Sequence, residues 1–208
     1  AIIVDYQNRV TEGKKMPYTI STEYRMLYNP QLKGAFNFVP GVMAMVLLLV
    51  CTMMTAITIV KEKELGTMEI LLVSPMRPFL IVISKAIPYL VLSVVNIASI
   101  LLLSVYVLEV PINGSLALLV GESILFTLVS LSLGLLISSG AGSQQTAMFI
   151  SLVALFLPTV MLSGFMFPIE NMPKPLQVVS HIVRARWFYS IVKSVMIKGL
   201  GIQAVLKE

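Results

Sequence analysis

Four long apolar segments limit what this chain can fold into more than any other feature. The first, Phe38–Val60, contains no charged residue. The second, Phe79–Leu108, contains only Lys85, which lies near its start, where a lysine side chain can reach the membrane interface. A helix needs about 20 apolar residues to cross the roughly 30 Å of hydrocarbon in a bilayer. Each segment is therefore predicted to be a helix that spans a membrane.

The third and fourth segments come from one longer uncharged stretch. Between Glu122 and Glu170 lie 47 residues without a charge, which is too many for one span. The polar sequence SSGAGSQQ (138–145) divides this region into Leu116–Ile137 and Thr146–Phe167. Because lipid offers backbone groups no hydrogen-bond partners, helices are the expected structure. The predicted fold class is an all-α polytopic membrane protein with four transmembrane helices.

The composition excludes most other classes of protein. The chain is 57% hydrophobic and 12% charged, whereas a soluble domain carries about 25% charge. The 15 Lys and Arg residues lie at span edges and in the tails rather than in a basic stripe with aromatics, so no nucleic-acid partner is expected. The single Cys51 and the single His181 predict neither a disulfide nor a metal site. No Ser/His or paired-Asp constellation indicates an intramembrane enzyme, so no catalytic residue is expected.

The two ends of the chain are more polar than its middle. Residues 1–35 are turn-rich and are predicted to be the end of a soluble domain that lies against the membrane. Their opening sequence, AIIVDYQ, resembles an interior strand, so the chain is expected to be a fragment. Residues 168–198 contain short apolar groups broken by Pro, Arg and Lys. They predict short interfacial or re-entrant helices, with three aromatic residues at headgroup depth: Trp187, Phe188 and Tyr189.

The short connections between spans give the predicted orientation. Loop 61–78 contains three basic residues, and loop 109–115 contains none. A count over the whole chain favours the opposite orientation, because 11 Lys and Arg residues lie on the side of the membrane that carries the two ends of the chain. Long segments, however, cross membranes largely regardless of charge, whereas short loops obey the positive-inside rule. Loop 61–78 is therefore predicted to lie in the cytoplasm, within a membrane domain of residues 36–167.

Loop 61–78 has the pattern of a short amphipathic helix. Its apolar residues recur at helical spacing on one predicted face: Leu65, Met68 and Leu72. Gly66 allows a break after the membrane helix, Thr67 is a plausible N-cap, and Glu69 is favourable in a first turn. Two prolines end the helix. Such a helix either lies in the headgroups as an anchor or docks into a groove on a partner protein.

Three stretches of the sequence resemble one family. YNPQLKGAFNFVPGVMAMVL (28–47), VKEKELGTMEILLVSPMRP (60–78) and LSGFMFPIENMPKPLQVVSHIVRARWF (162–188) are similar to the membrane subunits of type-2 ABC exporters, the ABC-2 type transporter family. The resemblance implies a six-helix permease of which the first and last helices are absent here, with 199–208 leading into the last helix. The family usually has a proline where this chain has Arg184, which is expected to alter how the external helices turn.

The resemblance also implies partners and a function. Loop 61–78 would be the coupling helix that contacts an ATP-binding cassette subunit, which would bind the ATP and magnesium that this chain does not. The coupling residues implied are Glu62, Lys63, Glu64, Leu65, Gly66, Thr67, Met68, Glu69 and Leu72. A second permease copy, as a homo- or heterodimer, and the inner membrane of a bacterium complete the expectation. The alternative is a non-transporting membrane scaffold that recruits a cytosolic protein through loop 61–78; the substrate class stays open.

Two polar residues within the spans are candidates for a substrate path. Asn96 lies near the middle of the second span, where it is expected to form a hydrogen bond between helices. Glu122 is the only acid within a predicted span, and is either an interfacial carboxylate or a substrate or proton site. Pro88 and Pro158 are predicted to kink their helices.

Overall fold

The computed structural model describes residues 33–68 and 78–201, and within these ranges the regular structure is entirely helical. Predictions about residues 1–32, and about Glu69 and Leu72, lie outside the described residues. The elements in chain order are α1 (Ala35–Glu64), α2 (Pro78–Tyr106), α3 (Leu116–Gly140), α4 (Gln144–Ser151), a π-helical segment (Leu152–Phe156), α5 (Leu157–Leu162), a 3-10 turn (Ile169–Asn171), α6 (Lys174–Ser180) and α7 (Arg184–Lys198).

The four predicted spans are confirmed. Four helical segments are long and apolar enough to cross a membrane: Ala35–Glu64, Ile83–Tyr106, Leu116–Gly140 and Gln144–Leu162. The turn between the last two is shorter than predicted, because α3 continues through Gly140 and only residues 141–143 lie outside helices. Ser143 then caps α4 by accepting a hydrogen bond from Thr146 N at 3.1 Å. The chain is thus a multi-pass membrane protein that is all-α within ranges 33–68 and 78–201.

The fourth span changes its helix type in the middle. Its residues 152–156 form a π-helical segment, and Pro158 follows at the start of α5. A proline has no N–H to donate and clashes with the carbonyl four residues earlier, so the helix must adjust in the turn before it. The helix type thus changes in the turn before Pro158, and the kink predicted there stays a prediction. Pro88 lies within α2, which continues through it.

Helix α1 is the centre of the fold, because it packs against α2, α3, α4 and α7. Its closest approach is to α3, where a Cβ added at Gly134 would lie 2.6 Å from the carbonyl oxygen of Thr52. The absence of a side chain at Gly134 thus lets the two backbones approach closely. At the same level the Thr52 hydroxyl donates a 3.0 Å hydrogen bond to the carbonyl of Ser130.

Helix α7 packs one face against the other helices, and the membrane depth predicted for residues 168–198 stays a prediction. Phe188 is 2% exposed, and its ring stacks on Phe126 of α3 with 4.2 Å between the centroids. Tyr189 is also buried, whereas Trp187 is 38% exposed. Phe188 and Tyr189 therefore pack against protein, and only Trp187 is available to lipid headgroups. The amphipathic pattern of α7 predicts an apolar face but does not distinguish a lipid surface from a helix bundle.

The turn before α7 places Arg184 at the first helical position, after the N-cap Val183. Proline is favoured at this position because its φ angle is already helical and its missing N–H would have no helical partner. Arg184 occupies the same position without that restraint. It also places a positive charge at the positive end of the helix dipole, which is unfavourable.

Candidate coupling site at the end of α1

Helix α1 extends beyond its apolar part into the charged sequence KEKE. It ends at Glu64, and Gly66 then takes a left-handed φ of +70°. A Cβ at Gly66 would meet nothing within 4 Å, so this glycine is needed for its backbone angle rather than for space. The Thr67 hydroxyl donates to the carbonyl of Glu62 at 3.2 Å and so satisfies a free carbonyl of α1. The N–H groups that Thr67 would cap lie outside the described residues.

The prediction that Leu65 and Met68 lie on one face of a helix is wrong. Leu65 follows the last residue of α1 and is 64% exposed. Met68 is half-buried and lines a cavity of about 310 Å³ together with residues of α1, α2 and α3. The left-handed angle at Gly66 interrupts the helical phase between the two side chains, so they do not lie on one face of a continuous helix. Of the two side chains, Leu65 is the more exposed.

Three consecutive charged residues of α1 bond to the chain's own helices. Glu62 forms an ion pair with Lys85 of α2. Lys63 donates its ammonium protons to the carbonyl of Ser138 and lies 3.5 Å from that of Ser139, both in the last turn of α3. The carboxylate of Glu64 accepts a 2.9 Å hydrogen bond from the backbone N–H of Gln144 and another from its side-chain amide. We call Glu62, Lys63, Glu64, Lys85 and Gln144 the helix-end cluster.

The signs of these charges match the helix ends that they contact. The last carbonyls of a helix are unpaired and carry partial negative charge, and the first N–H groups carry partial positive charge. Lys63 meets the C-terminal end of α3, and Glu64 meets the N-terminal end of α4. Three of the four charged side chains of KEKE thus bond to neighbouring helices, an arrangement that the sequence alone does not reveal.

Apolar packing supports the helix-end cluster from the membrane side. The second buried cluster of the protein joins α1 to the α3–α4 region through four small residues: Ala56, Val60, Ala141 and Ala147. One turn further into α1, the Thr58 hydroxyl hydrogen-bonds to that of Tyr89 on α2. The last two turns of α1 are therefore held by three helices at once.

The two candidate residues within the spans stand apart from this cluster. Asn96 is half-buried on α2, and Glu122 is half-buried on α3. Neither side chain has a hydrogen bond or ion pair with any residue in ranges 33–68 and 78–201. The predicted bond from Asn96 to another helix is thus not formed among these residues. A role in a substrate path stays a prediction for both.

A second polar connection lies at the other end of the bundle and was not foreseen. Asn113 donates twice to the last turn of α7: its backbone N–H to the carbonyl of Met196 at 3.0 Å, and its side-chain amide to that of Ile197 at 3.1 Å. A Cβ at Gly114 would lie 2.4 Å from the carbonyl oxygen of Val195. We call residues 113–114 and 195–199 the loop–helix junction. The sequence gives one indication of this junction, the glycine after Lys198, because glycine commonly ends a helix.

Beside this junction, Lys33 pairs with Glu109 at 2.8 Å. The hydrogen bond and the charge of Lys33 lower the pKa of the Glu109 carboxyl below its usual range. Both side chains are exposed to solvent, Glu109 to 75%. This pair is therefore a solvated contact and not a buried one.

An apolar cavity of about 640 Å³ lies between the fourth span and the segment that follows it. Its walls include Leu157 and Met161 of α5, Phe167, and Leu176 of α6, with Asn171 as a polar side chain. This size is within the range of about 300–1,000 Å³ that holds small-molecule ligands. Across the described ranges, no group of three or more His, Cys, Asp or Glu residues forms a metal site.

The chain can be compared with known proteins. The model of the family described as ABC-2 family transporter protein matches residues 4–205. The Escherichia coli K12 protein named probable multidrug ABC transporter permease YbhR is 34% identical over 204 residues, which are 98% of this chain and 55% of that protein. A second E. coli K12 protein, probable multidrug ABC transporter permease YbhS, is 34% identical over 193 residues, 93% of this chain and 51% of its own.

More distant similarity extends to a eukaryote. ABC transporter G family member 20 of Dictyostelium discoideum is 29% identical over 174 residues, which are 84% of this chain and 24% of that protein. The chain spans about half the length of the E. coli relatives, at 55% of YbhR and 51% of YbhS. No solved structure matches it significantly.

Proposed function

The chain belongs to the ABC-2 family of transporter proteins, and we propose that it is part of a permease subunit that exports substrate across the inner membrane of a bacterium. The energy comes from ATP, with magnesium, that a separate ATP-binding subunit hydrolyses. The observation that carries the proposal is that the family match, residues 4–205, runs through all four helices that can span a membrane. The 208 residues contain no G-x-x-x-x-G-K-[ST] phosphate loop, and the proposal therefore places the nucleotide outside them.

The end of α1 supplies the contact to that subunit in this proposal. Leu65 is 64% exposed directly after the last residue of α1, and loop 61–78 connects the first two spans on the side assigned to the cytoplasm. The helix-end cluster fixes α1 to its neighbours just before this point. Burying Leu65 in a groove of the ATPase would remove an apolar side chain from water and stabilise the complex.

The rest of the assembly follows the same proposal. Residues 1–35 and 168–198 lie on the extracytoplasmic side, and a second permease copy completes the transporter. YbhR and YbhS are named multidrug permeases, which makes small amphipathic drugs the first substrates to test. The apolar cavity of about 640 Å³ is large enough to receive such a molecule.

The test is co-purification of the full-length permease with a co-expressed ATP-binding subunit, followed by ATP hydrolysis with and without permease. Wild type is expected to retain the ATPase and to stimulate it. Leu65→Asp is expected to lose both, because docking would bury an unpaired carboxylate at a cost of several kcal/mol. Ile182→Asp, which alters an exposed apolar residue between α6 and α7, is the matched control and should bind normally.

The outcomes separate the alternatives. An ATPase that binds but whose hydrolysis does not respond to the permease would favour the membrane scaffold. Equal co-purification of wild type and Leu65→Asp would place the docking contact elsewhere. Failure of the wild-type permease to retain any ATP-binding subunit would contradict the proposed function.

A further inference from the structure

We infer that Glu64 and Gln144 are positioning residues of the transport cycle, which fasten the α3–α4 turn to the end of α1 so that the two move as one body. The inference rests on the proposed function, because it concerns how movement at loop 61–78 reaches the fourth span. It concerns contacts between helices of the permease itself, and not the contact with the ATPase.

The first observation is that a residue of α1 caps α4. The first four N–H groups of a helix lack intrahelical partners and are usually satisfied by a residue that directly precedes the helix. In α4, Ser143 accepts from Thr146 N, but the N–H of Gln144 donates to the carboxylate of Glu64 at 2.9 Å. The start of α4 thus depends on a side chain that lies 80 residues earlier in the chain.

The second observation is that the residue beside Glu64 holds the other side of the same turn. Lys63 contacts the carbonyls of Ser138 and Ser139 at the end of α3. Two adjacent residues of α1 therefore hold the helix that enters the turn and the helix that leaves it. Their charges are opposite, and each is stabilised at its own helix end.

The third observation is that the contact continues into the protein without a gap. Ala141 of the turn and Ala147 of α4 pack with Ala56 and Val60 of α1. Deeper still, Gly134 of α3 lies against the backbone of α1. Small residues therefore pack closely between α1 and the α3–α4 region along two turns or more.

Helix α2 is joined to the end of α1 in a different way, through pairs of side chains. It joins the end of α1 through Glu62–Lys85 and Thr58–Tyr89. Most of its large apolar side chains are exposed, including Val91, Val95 and Leu102, each by more than half. The end of α1 thus bonds to backbone groups at the two helix ends of the α3–α4 turn, whereas its bonds to α2 join side chains.

The experiment replaces the polar contact with a covalent one that can be removed. Glu64→Cys and Gln144→Cys are introduced together into full-length permease that carries Cys51→Ala, in complex with its ATPase. A short, reducible bis-methanethiosulfonate linker joins them, because Glu64 reaches Gln144 through the full length of its side chain. Linking yield is measured without nucleotide, with ATP and with vanadate, and permease-stimulated ATP hydrolysis is measured before and after reduction.

The inference predicts equal linking yield in all three nucleotide states. It also predicts that the unlinked double variant loses about tenfold in stimulated hydrolysis, which corresponds to about 1.4 kcal/mol, and that linking restores it. A linked complex that cannot hydrolyse ATP would show that the contact must open, and would overturn the inference. So would a double variant that is fully active when unlinked, or a linking yield that changes with nucleotide.

Neighbouring residues provide the controls. The side chains of Lys61 and Gln145 are exposed and, within ranges 33–68 and 78–201, form no hydrogen bond or ion pair. Gln145→Ala should therefore leave stimulated hydrolysis unchanged, whereas Gln144→Ala should reduce it. Co-purification of the ATPase should be equal in every variant, because none of them alters the docking contact. Loss of co-purification by wild type would count against the proposed function, and unequal linking with the ATPase bound would count against this inference.

Discussion

The helix-end cluster and the loop–helix junction connect distant parts of the chain by different physical means. In the helix-end cluster, long charged side chains reach the termini of neighbouring helices, as Glu64 reaches Gln144. In the loop–helix junction, backbone meets backbone, and Asn113 bonds to two carbonyls of α7. The helix-end cluster depends on charge and can accommodate an added side-chain atom. The loop–helix junction depends on the close approach of two backbones.

The glycines of the two regions show this difference directly. A Cβ at Gly142, in the turn beside the helix-end cluster, would meet no atom within 4 Å. A Cβ at Gly114, in the loop–helix junction, would lie 2.4 Å from the carbonyl oxygen of Val195. The same substitution should therefore have opposite consequences in the two regions.

The largest expected effect is that of Gly114→Ala. Overpacking against a backbone carbonyl costs about 1–3 kcal/mol, and for a chain of this length each kcal/mol lowers Tm by about 2–4 °C. Gly142→Ala should leave Tm within roughly 2 °C of wild type, the shift expected for less than 1 kcal/mol. Tm can be measured in detergent with a thiol-reactive dye, because Cys51 is fully buried in the folded chain and reacts only on unfolding. Equal Tm values for the two variants would mean that the close approach at Gly114 is not present.

Lys63→Met should have a smaller effect, because it removes charge without adding strain. The loss of a cation at the C-terminal end of α3 should cost about 1 kcal/mol, or a decrease in Tm of about 2–4 °C. Lys61→Met is the matched control, since the Lys61 side chain is exposed and has no bonded partner within ranges 33–68 and 78–201. If Lys61→Met lowers Tm as much as Lys63→Met does, the contact with the end of α3 does not contribute to stability.

The smallest effect concerns pH and the pair Lys33–Glu109. Lys33 lowers the pKa of Glu109 in the folded protein, so the pair contributes stability above the ordinary glutamate pKa of about 4.3. This contribution is lost as the pH falls through the lowered pKa. Tm of wild type should therefore decrease slightly more between pH 7 and pH 3 than Tm of Glu109→Gln. Identical pH profiles would show that the exposed pair has no measurable effect.

The spans could be predicted from sequence because the physical cause is local. Twenty apolar residues without a charge are sufficient to indicate a helix in a membrane, and four such segments are helical here. The change of helix type before Pro158 has an equally local cause, the missing N–H of proline. Such features need no knowledge of which helices are neighbours.

The contacts of the candidate site could not be predicted, because they depend on which helix ends meet. Nothing near Glu64 in the sequence indicates Gln144, which lies 80 residues away. The prediction that Leu65 and Met68 share one helix face was wrong, because one backbone angle, at Gly66, interrupts the helical phase. Met68→Asp would now be expected to disturb the cavity that it lines inside the chain, so Leu65→Asp is the better probe of docking.

The side of the membrane on which α1 ends is the most direct test of the account as a whole. In a Cys51→Ala background, Lys61→Cys and Pro111→Cys are treated with a membrane-impermeant thiol reagent in intact cells. Both positions are exposed, and neither is in the helix-end cluster or the loop–helix junction. The account predicts that Pro111→Cys reacts in intact cells and that Lys61→Cys reacts only after permeabilisation. Reaction of Lys61→Cys but not Pro111→Cys in intact cells would put loop 61–78 outside and contradict its role in contacting a cytosolic ATPase.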